Sequence, residues 1–201
     1  TKLLLHADNN LKFSGSIIDD HGSLSTKLSS FGDLSLMTLA NLTSGQVSIE
    51  AQGDVTLFGS INGVSSTSQD GLVTILGSNI AIYGLIANQN SHNGGKINLI
   101  ALKNMLFGHN SRIRGHGSVI SISGYTVNSH SSIIQTNNSN GRGGTILINA
   151  SHDADLHNTS FNASGLAGGS LLITSSHGDV NLLESQIQTN GSSGRGGTIE
   201  L

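Results

Sequence analysis

Side chains able to do chemistry are sparse in this sequence, so their spacing decides what they could do. The densest group is His152-Asp153-Ala154-Asp155-Leu156-His157. Residues two apart share a face of a β-strand. Asp153 and Asp155 are therefore the pair expected to converge, with His152 pointing away and His157 set on the face opposite Asp155. Asp153, Asp155 and His157 are the candidate metal ligands, since carboxylate and imidazole are the donors that borderline cations take. A polar loop is the competing reading. The other histidines, among them His109, His116, His130 and His177, are scattered along the chain. They would make the surface more cationic in acid, and no base–nucleophile pairing can be read among them. No catalytic residue and no cofactor-binding residue is expected.

A second set of polar residues recurs at wide intervals. Asn10, Asp33, Asp54, Asn79, Asn104, Asp153 and Asp179 each stand just before an apolar pair, with Gly124 in the same place once. Clustered carboxylates would suit calcium or acid–base work on a polysaccharide. Here the chain has only 12 acidic residues, and Asp alternates with Asn along the series. Asn, Asp and Gly tolerate left-handed backbone and hydrogen-bond locally, so a structural turn ladder is the expected role. Gly141-Arg142-Gly143-Gly144 and Gly194-Arg195-Gly196-Gly197 read as flexible corners. With 3% aromatic residues and a net charge of −3, nucleic acid is not an expected partner.

Composition bounds the elements that must carry these residues. The 201 residues suit one domain. They include 25 Leu, 20 Ile, 7 Val and 5 Phe, so a core built from aliphatics is available. Only 10% of residues are charged, against about 25% in ordinary soluble domains. With no Cys, disulfides and thiolate metal sites are excluded. The opening run Thr1-Lys2-Leu3-Leu4-Leu5-His6 is too short for a signal peptide or a membrane helix. There is no Pro, which fits a backbone whose N–H groups are nearly all committed to sheet hydrogen bonds.

Internal repeats supply those sheets. Gly144-Thr145-Ile146-Leu147-Ile148 returns as Gly169-Ser170-Leu171-Leu172-Ile173 and Gly197-Thr198-Ile199-Glu200-Leu201. Equivalent units start at Thr1, Gly22, Gly45, Gly71, Gly95 and Ser118. Alternation within each unit marks strand. The first apolar column runs Leu3, Leu24, Val47, Val73, Ile97, Ile120, Ile146, Leu171 and Ile199. The second runs Leu5, Thr26, Ile49, Ile75, Leu99, Ile122, Ile148, Ile173 and Leu201, broken only by Thr26. A second strand carries inward pairs such as Met105/Phe107, Tyr125/Val127 and Ala154/Leu156. A third apolar site falls on Ile61, Ile86, Ile113, Ile133, Phe161 and Ile187. Polar, Gly-rich segments close each turn. The expected fold is all-β: a right-handed parallel β-helix, or solenoid, of about eight coils of roughly 24 residues with three short strands each. At about 4.8 Å per coil it would form a rod of roughly 38 Å. Residues 1–201 form a single β-helix domain, with less regular coils over 1–44 and regular ones over 45–201.

The units Gly143 to Ala150, Gly178-Asp179-Val180-Asn181-Leu182 and Ile187-Gln188-Thr189-Asn190-Gly191 resemble those of filamentous-haemagglutinin-like exoproteins. That family comprises β-helical adhesins of Gram-negative bacteria exported by two-partner secretion. The resemblance implies a non-enzymatic rod segment of a secreted or cell-surface adhesin or filament, without cofactor. It implies host-cell or matrix glycans or proteins as partners, and an outer-membrane transporter during export. The family's secretion domain carries an Asn-Pro motif that a Pro-free chain lacks, so a stretch of the rod, a fragment or repeat unit of something longer, is expected. Two alternatives accompany this reading. One is an extracellular fibre subunit that stacks copies of itself end to end through uncapped ends; the other is a carbohydrate-active β-helix enzyme.

Overall fold

A computed structural model describes residues 1–19, 21–64, 71–89 and 95–201. Among them there is no helix; the elements are short strands, and every strand pairing is parallel. Three long sheets of nine, eight and eight strands run side by side. Consecutive strands of the chain belong to different sheets, and each pairs with its counterpart one repeat later. That is a parallel β-solenoid. One coil comprises Val119–Gly124 in the nine-stranded sheet, then Thr126–His130 and Ile133–Gln135 in the two eight-stranded sheets.

Alternation along each strand produces the core. The strand Gln46–Ala51 buries Val47, Ile49 and Ala51 and turns Gln46, Ser48 and Glu50 outward. In-register stacking then places like on like between coils. Ile49, Ile75, Leu99, Ile122, Ile148 and Ile173 form one column, each fully or almost fully buried. Val55, Ile80, Met105, Val127 and Ala154 form another, and Leu42, Ile61, Ile86, Ile113, Ile134 and Phe161 a third. β-branched side chains, stiff at χ1, suit such columns because each needs a single rotamer repeated.

The register departs from the expected alignment in the second unit. Thr26 pairs with Leu3 and Val47, and Leu28 with Leu5 and Ile49, so the second apolar column is unbroken and Thr26 interrupts the first. Leu24 lies outside the strand Ser25–Ser30. The cause lies at Asp19: its carboxylate accepts the N–H groups of His21 and Leu24, and Gly22 is left-handed at φ 67°. Those interactions hold residues out of the strand that a residue count assigns to it. The buried Thr26 hydroxyl donates to Ser44 Oγ at 3.2 Å, which itself donates to the Leu24 carbonyl at 2.7 Å.

A second departure lies in the sixth coil. Met105 pairs with Val127 and Phe107 with Ser129, so the inward pair is Val127/Ser129 and not Tyr125/Val127. Tyr125 is 52% exposed, its ring 5.4 Å from that of His152. Ser129 occupies a fully buried position between Phe107 and Leu156, where its hydroxyl bonds Ser132 Oγ and, at 2.7 Å, Thr159 Oγ1. The inward residue of the next strand is Ile134, fully buried, and not Ile133. A serine inside is invisible to a search for apolar alternation, yet costs little once its hydroxyl is bonded.

The Gly-rich closing segments also do more than close turns. Asn138–Arg142, Gly165–Ala167 and Gly191–Arg195 pair as a fourth, three-stranded parallel sheet. The last coils therefore carry a fourth face where three strands per coil were expected.

Stacked burial makes one stability prediction. Ile122 sits mid-column with no exposed surface. Ile122→Ala should destabilise the chain by about 2–5 kcal/mol, as for large-to-small changes in tight cores, read as a lower urea midpoint by circular dichroism.

Candidate functional site

Outward chemistry concentrates at the corners between strands. At the corner before the first eight-stranded sheet, Asn10 Oδ1 accepts the Asp33 N–H at 2.8 Å, and Asp33 Oδ1 accepts the Asp54 N–H at 2.9 Å. Asp54 Oδ1 accepts both the backbone N–H and Nδ2 of Asn79 at 3.1 and 2.8 Å. Asn79 Oδ1 does the same for Asn104 at 3.2 and 3.1 Å. Thr126, not Gly124, holds the next place, its hydroxyl donating to Asn104 Oδ1 at 2.9 Å. The ladder resumes where Asp153 Oδ1 accepts the Asp179 N–H at 3.0 Å. Each side chain thus ties its coil to the next. A Cβ on Gly32, Gly53 or Gly178 would collide with the Oδ1 of Asn10, Asp33 or Asp153, which explains the repeated Gly-Asp dipeptide as close approach.

Carboxylates do meet on adjacent coils at two points, Asp33 beside Asp54 and Asp153 beside Asp179. What opposes the repulsion at Asp153 is hydrogen bonding. The Asp179 backbone N–H, and then the His152 ring at 2.7 Å, hold the Asp153 carboxyl below the usual carboxylate range. On the outer face of the nine-stranded sheet, Lys27 Nζ lies 2.6 Å from Glu50 Oε2 and lowers the Glu50 carboxyl likewise.

The three candidate metal ligands do not converge as a set among the described residues. Asp153 is committed to His152 and Asp179. Asp155 and His157 project from the same outward face of the strand Ala154–His157, because residues two apart share a face; the expected opposite placement is corrected. His157 has another imidazole, His130, as its in-register neighbour. No group of three His, Cys, Asp or Glu side chains converges on a cation position among the described residues.

The next corner carries an outward ridge that the sequence reading missed. Phe58, Tyr83, Gly108, His130 and His157 each follow the inward pair of their coil and lie in line. The rings of Phe58 and Tyr83 stack 5.0 Å apart at 11°. Tyr83 leans over Gly108, where a Cβ would strike its ring. Beyond it the rings of His109 and His130 lie 6.4 Å apart, and those of His130 and His157 5.8 Å. A usable signal was present: these residues directly follow the second inward position of each unit. Scattered histidines become a column only when the coils are in register.

The arginines flank a third feature. In the small sheet Arg142 lies opposite Ala167, and Ala167 opposite Arg195. Beside it runs a groove of about 420 Å³ with Arg142, Gly144, Thr145, Gly169, Ser170 and Thr198 in its lining. Thr145, Ser170 and Thr198 are in register along one wall.

No protein-family model, curated protein or solved structure matches this chain.

Two measurements check the corner chemistry. Asn79→Ala removes the acceptor of the Asn104 N–H and amide together with the donor to Asp54, and should lower stability by about 0.5–1.5 kcal/mol, read as a lower midpoint in urea titrations. Asp153 and Glu50 have folded-state pKa values below their unfolded ones, so their stabilisation is present above the usual carboxylate range and lost as pH falls through it. The double variant Asp153→Asn/Glu50→Gln should therefore lose less stability than wild type between about pH 5 and pH 2, followed as the urea midpoint against pH.

Proposed function

We propose that this chain is a non-enzymatic rod segment of a secreted bacterial surface adhesin or filament of the filamentous-haemagglutinin kind. Its work is mechanical: it holds a binding region away from the cell, for adhesion or biofilm. The observation that carries this reading is the solenoid, in which successive coils are joined by backbone pairing in three long sheets and by a side-chain ladder at one corner. Nearest-neighbour stacking of this sort sums along the axis, so length adds reach without demanding a larger globular core. A low charge content fits a molecule whose polar surface is mainly Ser, Thr and Asn stacked in register. Partners at the cell exterior would be glycans or proteins, with an outer-membrane transporter needed for export.

Antibodies raised against the folded chain should label intact, unpermeabilised cells of the source bacterium, and deletion of the gene should reduce adherence or biofilm mass. Confinement of the protein to the cytoplasm would overturn the proposal. So would turnover of a uronic-acid polysaccharide by the purified chain.

A further inference from the structure

We propose that His130 and His157 form a surface site for a divalent transition-metal ion of the zinc, nickel or copper class, with His109 next along the same corner but outside the ligand pair. Imidazole nitrogen is a preferred donor for these ions. His130 and His157 are in-register partners on adjacent parallel strands, so their Cα atoms are held about one strand spacing apart, roughly 4.8 Å. Two imidazoles that bind one tetrahedral ion at about 2.0–2.1 Å place their ring centres roughly 5 Å apart. The observed separation is 5.8 Å for His130–His157 and 6.4 Å for His109–His130. The first pair would need its rings to close by less than about 1 Å to share one ion. The site is a two-histidine one, its remaining positions open to water, in keeping with the lack of any three converging ligands among the described residues.

Two further observations support ligation. Ring nitrogens of His6, His152 and His177 are engaged by Ser29, Asp153 and the Ser151 carbonyl. Among the described residues the rings of His109, His130 and His157 have no such partner, so their lone pairs are free. The corner that bears them also repeats one backbone geometry from coil to coil. Asn110, Ser131, Asn158 and Glu184 repeat the same left-handed bend at φ 62°, 54°, 47° and 54°. Beneath it the hydroxyls of Ser129, Ser132 and Thr159 are hydrogen-bonded inside the core. Neighbouring charge comes from Asp155 on the same strand face and Glu184 at the equivalent bend of the next coil, which attract a cation, and from Arg112 beyond the His109 corner, which opposes it. A bound ion would clip the sixth coil to the seventh. Because the unfolded chain lacks this register, binding stabilises the folded state.

The test is calorimetric titration of the whole chain with zinc or nickel chloride at about pH 7.5 and again at about pH 5, where imidazole is mostly protonated. Expected are binding of one ion per chain and a higher unfolding temperature at the upper pH, with both lost at the lower. His130→Gln and His157→Gln should each lose binding about tenfold or more, whereas His116→Gln should leave it unchanged. As an independent readout, copper(II) should broaden the His130 and His157 ring proton signals first. The proposal is overturned by absence of binding up to about millimolar metal, by binding that both glutamine variants retain, or by broadening that falls first on other histidines.

Discussion

Parallel pairing between successive coils is the constraint from which the rest of this molecule follows. Each strand must meet its counterpart one repeat later in fixed register, because a slip of one residue would turn its buried set outward. Once the register holds, every position along a coil becomes a column along the axis. Columns of isoleucine, leucine and valine fill the interior, and columns of asparagine, aspartate and histidine line the corners. The chemistry of the surface is thus a by-product of the same spacing that packs the core.

Stacking has a cost when the repeated residue is charged or polar. The chain meets it in two ways. At the Asx corner the side-chain oxygen of one coil accepts the backbone N–H of the next, so the carboxylate is held by donors rather than left facing another carboxylate alone. Inside the core, Ser129 takes a place that Phe107 and Leu156 fill in adjacent coils, and the hydroxyls of Ser132 in its own coil and Thr159 in the next satisfy it. Both devices tie adjacent coils with hydrogen bonds that an apolar residue could not make. They are consistent with a rod whose coils must not slide.

Much of the architecture was legible from period-two alternation and the recurring Gly-Gly and Gly-Asp corners, because those patterns are local and each coil repeats them. The errors sit where local pattern and register part. Thr26 and Leu28 were displaced by two because the hydrogen bonds to Asp19 withdraw residues from the strand count. Tyr125 was placed inside because a buried serine carries no apolar signal. The fourth sheet was missed because Asn138–Arg142, Gly165–Ala167 and Gly191–Arg195 contain almost no apolar alternation; backbone pairing alone defines them. At the outward corners, the Asx series could be aligned by its place before the inward pair. Among the histidines, His130 and His157 share the place after the inward pair, whereas His109 falls one residue later and joins them only because each directly precedes the left-handed residue of its coil.

By itself the sequence determined the fold class and the identity of most core columns, because hydrophobic alternation and small-residue corners repeated along one chain admit few other structures. It also determined which residues could ever bear charge, and hence how little chemistry the surface holds. Only the tertiary structure decided which of those residues touch. Residues in adjacent coils are some 25 positions apart in the chain, and whether two of them meet depends on the length of every intervening turn. That length is set by capping hydrogen bonds and left-handed bends, which a linear pattern does not record. The tie of Asp153 to Asp179, and the meeting of His157 with His130, were decided there.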